Sequence, residues 1–459
     1  MKHTRRAILF TLAFALLFGA SPVVHASGAG IEWVILNQEA MELYRTGSYD
    51  RAVIVAQKAL QVAEQNVGQN HPDVATSLNN LAELYRTRGD YASAEPLYKR
   101  SLAIREKALG PDHPDVATSL NNLAVHYQNR GDYAVAEQLS KRSLAIREKA
   151  LGPDHSDVAT SLNNLALLYY QHGDYAASEP LYKRSLEIRE KTLGPDHPDV
   201  ATSLCNLATL YQTRGDYTAA EPLYQRTLAI REKTLGPDHS DVALSLNNLA
   251  TLYETEGDYD KAKGDYTKAK GNYATAEPFF KRALAIRENT LGPDHPDVAT
   301  SLNDLAGLYQ TWGDYAQAET LLKRSLAIRE NALGPDHHYV ATSLNNLAVL
   351  YYIRGDYAKV EPLFKRSLSI VEKELGPDHP NVAYSLNNIA RLYLNRGDYA
   401  TAEPLVKRAL EIREKKLGPD HPDVATSLET LAALYRATKR SSEAAVLEQR
   451  AARIRAIKR

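Results

Sequence analysis

Nine histidines stand in register along the chain. His71, His113, His155, His197 and His239 are 42 residues apart, as are His295, His337, His379 and His421, and the two series are separated by 56. A histidine flanked by acids invites metal ligation, and "PDHSDVATS" adds a serine and so the ingredients of nucleophilic catalysis. Both readings fail on geometry. Equivalent side chains on stacked helices sit about 8–10 Å apart, too far to share one ion with bonds of about 2 Å. The adjacent pair His337 and His338 is the one exception, and no third ligand is evident beside it in sequence. Serine, histidine and aspartate recur together in most copies, whereas a triad needs a single oriented nucleophile–base pair. Each histidine is therefore expected to close a turn at a helix start. No catalytic residue, metal site or cofactor is expected, and no phosphate-cradling glycine loop occurs.

The amides are better candidates for a binding surface. Asn80, Asn122, Asn164, Asn206, Asn248, Asn346 and Asn388 recur at one position, with Asp304 and Thr430 at the two remaining equivalents. An amide both donates and accepts, so a column of them suits an extended peptide backbone. The same amides could instead bridge neighbouring helices. Two positions beside the column vary from copy to copy; Tyr170 and Tyr352 occupy one of them and complete the candidate groove set. The single cysteine, Cys205, excludes an internal disulfide framework and a multi-thiolate metal site, and reads as a tolerated replacement on a helix surface.

The elements that carry these residues follow from the repeat. Val116, Leu120, Leu123 and Tyr127 recur at helical spacing after Pro114, which suits a first helical position. Gly131 ends that helix and Asp132 can cap the next, which stops at the "GP" of Gly152 and Pro153. Each unit is thus a helix pair, A then B. Helix B carries two apolar stripes, Tyr91, Ala94, Tyr98, Leu102 and Leu97, Ser101, Ile104, Ala108, so that neighbouring units must stack to bury both. Pro96, Pro180, Pro222, Pro278, Pro362 and Pro404 fall in the second turn of helix B and should loosen it. About ten pairs are expected. Residues 31–67 form a degenerate first cap, 68–422 the tandem array, and 423–459 the last cap with a basic tail. Residues 257–277 read "GDYDKAK", "GDYTKAK", "GNYATAE" where an ordinary unit has one such seven. The 14-residue insertion, 257–270, should project as a loop or frayed helical extension, and it is the only feature expected to be unique to one copy.

The first 26 residues have a basic start, an apolar run of fourteen and "VVHA", the layout of a secretory signal with cleavage after Ala26. Fourteen apolar residues are short for the ~20 that a bilayer requires, so no stable membrane insertion is expected after cleavage. Removing Lys2, Arg5 and Arg6 would take the formal charge from −1 to −4. That balance and export disfavour nucleic acid as a partner.

At "LNNLAxLYxxxGDYxxAExLYxRSLxI" the chain resembles a tetratricopeptide repeat, prolonged in helix B to the 42-residue form similar to kinesin light chain and nephrocystin-like repeats. The resemblance spans residues 31–457. It implies an all-α fold, a right-handed α-solenoid of stacked antiparallel helix pairs, with helix A surfaces lining a concave groove. The expected function is a non-enzymatic interaction scaffold, periplasmic or extracellular, for a protein or peptide ligand. The rival expectation is an accessory subunit or regulator of a separate enzyme or secretion or signalling complex.

Overall fold

A computed structural model describes residues 28–45 and 48–457. The secretory-type segment, 1–26, lies outside them. The described chain is helical throughout, with no strand. In order the helices are α1 (Gly30–Arg45), α2 (Tyr49–Val67), α3 (Pro72–Thr87), α4 (Tyr91–Leu109), α5 (Pro114–Asn129), α6 (Tyr133–Leu151), α7 (Ser156–Gln171), α8 (Tyr175–Leu193), α9 (Pro198–Arg214) and α10 (Tyr217–Leu235). There follow α11 (Ser240–Ala262), α12 (Tyr266–Leu291), α13 (Pro296–Trp312), α14 (Tyr315–Leu333), α15 (His338–Arg354), α16 (Tyr357–Leu375), α17 (Pro380–Asn395), α18 (Tyr399–Leu417), α19 (Pro422–Ala437) and α20 (Ser441–Ile457). Odd-numbered helices are the A helices and even-numbered ones the B helices of ten pairs.

Each register histidine is the cap before an A helix. In α5, His113 is extended and its Nδ1 accepts the Asp115 N–H at 3.1 Å, so one orphan donor of the first turn is satisfied by a side chain. The same bond recurs from His71 to His421. At the other end of each B helix the chain needs a positive φ. Gly110 has φ 89° and ψ 155°, a region essentially reserved for glycine. The B helices run on through their prolines, α4 through Pro96 and α8 through Pro180. One missing N–H near a helix start leaves a single carbonyl without its donor, and packing on both faces holds the rest.

Packing repeats with the unit. Val116, Ala117, Leu120, Leu123 and Ala124 of α5 are buried, as are Ala136 and Ile146 of α6. Polar staples lie inside this apolar frame. Ser101 Oγ donates to the Ala75 carbonyl at 2.7 Å, tying B to A within a pair. Arg105 is buried; it donates to Ser119 Oγ at 3.0 Å and to the Asp115 carbonyl at 3.2 Å in the next pair, and to Thr76 Oγ1 at 3.1 Å in its own. Arg147 and Arg189 repeat that pattern, and Val371 interrupts it in the eighth pair.

The duplicated sevens do not form a loop. They prolong α11 to 23 residues and α12 to 26, leaving only residues 263–265 as the turn. Part of the extension packs: Asp260, Ala269 and Tyr273 are buried, and Gly257 lies so close to the Tyr273 ring that a Cβ would come within 2.6 Å of it.

Candidate functional site

Odd-numbered helices touch their counterparts from pair to pair more than even-numbered ones do. Shorter spacing on the A side bends the stack toward that side, so the A helices form the inner wall of the spiral.

Within that wall the asparagines are cross-linked. Asn80 Nδ2 donates to Asn37 Oδ1 at 2.9 Å, Asn164 to Asn121 at 2.8 Å, Asn206 to Asn163 at 2.9 Å and Asn388 to Asn345 at 2.9 Å. Each bond joins adjacent A helices. Asn80, Asn122, Asn164 and Asn388 are buried, whereas Asn206, Asn248 and Asn346 are half-buried. Around Asn206, Thr202 and Thr213 are also half-buried, and at helical spacing they form one narrow line along α9. Tyr170 is buried, its hydroxyl 2.7 Å from Thr213 Oγ1 and its ring 5.6 Å from that of Tyr175. Tyr352 is half-buried against Tyr357 and accepts from Asn395. The position these tyrosines share is therefore a second lateral tie: Gln128 Nε2 donates to Gln171 Oε1 at 2.8 Å and Gln212 Nε2 to Thr255 Oγ1 at 3.1 Å.

Cys205 is not on a helix surface. It is buried in the ladder, accepts from Asn248 Nδ2 at 3.0 Å, and burial pushes its thiol pKa up. A buried thiol held in its neutral form is a poor nucleophile.

The spiral also meets itself. His337 Nε2 lies 3.2 Å from the Thr87 carbonyl, His379 Nε2 2.9 Å from that of Asn129 and His421 Nε2 3.3 Å from that of Gln171. Each histidine caps an A helix with one ring nitrogen and, as the Nε2–H tautomer, donates with the other to the end of the A helix six pairs earlier. This uses orphan carbonyls of α3, α5 and α7. Lys416 Nζ bonds Asp132 at 2.7 Å beside the second rung. Earlier copies such as His113 and His155 keep side chains 42% and 44% exposed, while His337, His379 and His421 are buried. Sequence spacing could not show this seam, since the two sides are 250 residues apart.

The eighth pair carries a second polar cluster peculiar to one copy, beyond the insertion in the sixth. His338 stands where other copies have proline or serine, and Tyr339 where they have aspartate or asparagine. Glu374 stands where they have alanine, threonine, lysine or asparagine. Glu374 is the third ligand-type residue that the sequence did not reveal beside His337 and His338. Its Oε1 lies 2.7 Å from His338 Nδ1, and burial raises its pKa to about 7. Its carboxylate packs on Gly89 of the first turn, whose absent Cβ makes the room.

No helix among the described residues is long and apolar enough to cross a membrane. The tetratricopeptide repeat family matches the chain in nine overlapping stretches: 34–107, 88–149, 115–191, 157–233, 208–269, 263–331, 313–373, 339–415 and 389–456. No curated protein sequence matches. Among solved structures, a Podosopora anserina protein described as a kinesin light chain with nearly identical TPR-like repeats is 29% identical. That match has a TM-score of 0.39 and covers 48% of this chain and 97% of that one. BtubC (BKLC) from P. vanneervenii is 26% identical with a TM-score of 0.39, over 51% and 89% of the two chains. A Rap protein complexed with competence and sporulation factor is 15% identical with a TM-score of 0.54, over 84% and 98%, which is a likeness of fold. The chain therefore belongs to the tetratricopeptide repeat family, whose repeats make it a protein-interaction scaffold.

Proposed function

We propose that the chain holds an extended peptide or protein segment against its inner A-helix wall, does no chemistry of its own, and works after export. The observation that carries the groove reading is the state of Asn206 and Asn248. Both amides are only half-buried, and the ladder engages one of the two N–H donors of each. The second N–H and the carbonyl oxygen remain for a ligand backbone. The buried members of the column, such as Asn164, then hold the wall while Asn206, Asn248 and Asn346 meet the ligand. Export rests on the signal layout of residues 1–26.

Peptides selected from a displayed random library on the immobilised protein test the first part. The double variant Asn206→Ala, Asn248→Ala should lose them while keeping its helix content and melting within a few degrees of the parent. Undiminished binding by the double variant refutes the groove reading. For export, N-terminal sequencing of the native protein should begin near Ser27, and an intact Met1 in a cytosolic fraction refutes it.

A further inference from the structure

We infer that His337, His338 and Glu374 form a site for one divalent transition-metal ion of the zinc class, at the junction between the first and second turns of the spiral. One ligand atom from each residue lies within 4.8 Å of the other two. The two imidazole rings stack with centroids 4.3 Å apart and planes 25° from parallel. Glu374 reaches His338 from the end of α16, with its side chain only 10% exposed. Its second oxygen, Oε2, is buried and has no hydrogen-bond partner.

That orphan oxygen is the sharpest clue. A carboxylate serving only to accept from His338 would use one oxygen, and burying the other unpaired is costly. A cation between the carboxylate and the rings would satisfy it. Packing alone explains the glutamate poorly, because the equivalent positions of other pairs carry smaller or cationic side chains such as Ala332 and Lys416. Two imidazoles and one carboxylate, with no thiolate, match zinc and its neighbours and leave a fourth position for water. Tetrahedral bonds of ~2.1 Å put ligand atoms about 3.4 Å apart, so the His338–Glu374 pair at 2.7 Å must open slightly while any wider pair closes.

His337 must also exchange one bond. Its Nδ1 accepts the Tyr339 N–H at 3.1 Å and its Nε2 faces the Thr87 carbonyl at 3.2 Å. Two cations lie nearby, and each has its own partner. Arg86 is paired with Glu83, and Arg329 lies over the Tyr339 ring at 5.5 Å while donating to Ser343. Burial keeps both imidazoles neutral, the form that ligates.

The test strips the purified full chain with a chelator and titrates it with zinc against a competing indicator. His338→Pro and Glu374→Ala each install a residue that other pairs carry at that position, so both variants keep the framework of the repeat. The parent should bind one equivalent tightly and each variant should lose it. Cobalt(II) should give visible d–d absorption with the parent that zinc abolishes. Absence of a tight equivalent in the parent, or an unchanged equivalent in either variant, overturns the assignment.

Discussion

Acid should part the two turns at the rung made by His379. Burial, with His338 and Lys416 nearby, lowers the pKa of this imidazole to about 4, against Asp132 and the Asn129 carbonyl, which favour its protonated form. Where the turns are parted, the ring titrates near its ordinary value of 6.5. Above that value neither state binds a proton and the contact keeps its full strength. Between 6.5 and about 4 only the parted state is protonated, so the contact weakens as pH falls. At pH 5 the loss is about 2 kcal/mol, or roughly a thirtyfold rise in the parted population. Small-angle scattering at pH 7.5 and pH 5 should show a larger radius of gyration in acid, and amide exchange should quicken around residues 129–132. His379→Gln keeps an N–H donor but cannot titrate, so its acid response should be smaller. A radius unchanged between the two pH values, or an equal response from the glutamine variant, refutes the reasoning.

Other perturbations have graded outcomes. Arg189→Met leaves Ser203, Thr160 and the Asp199 carbonyl without their buried donor, and should cost about 2–4 kcal/mol by chemical denaturation. Arg226→Met on the exposed flank should cost less than about 1 kcal/mol. Asn164→Ala removes one rung of the amide ladder and should lower stability by about 0.5–1.5 kcal/mol in the same assay. Deleting residues 257–270 restores the ordinary spacing, with Gly271 and Asn272 in the turn and Tyr273 opening helix B; calorimetry should show one transition close to that of the parent. Cys205 should resist a thiol reagent in the native protein and react at once in denaturant.

Much of the fold could be read from residues because its signals are local. A histidine before proline starts an A helix, a glycine stops a B helix, and the apolar stripes define which faces pack. Four features could not be read. Arg105 looks like a solvated residue of helix B, and only the arrival of the next pair buries it. An amide that bridges helices and one that binds a ligand demand the same residue at the same place, so Asn164 and Asn206 look alike until their exposure differs. The seam between turns depends on a small rotation per pair, summed over six pairs, which no local pattern records. Glu374 was hidden within its own pair, being 36 residues along the chain from the histidine it touches.

A spiral that touches itself does not unfold as a row of dominoes does. In an open solenoid each unit knows only its neighbours, so the ends unravel first and at little cost. Here the last three pairs are bonded to the second, third and fourth. Fraying from the C-terminal cap must break those rungs as well as the nearest-neighbour interfaces, so melting should be sharper than a nearest-neighbour chain allows. Folding bears the opposite consequence. The rungs join residues 250 apart and can close only after the intervening pairs have stacked, so the seam should form last and set the slowest phase.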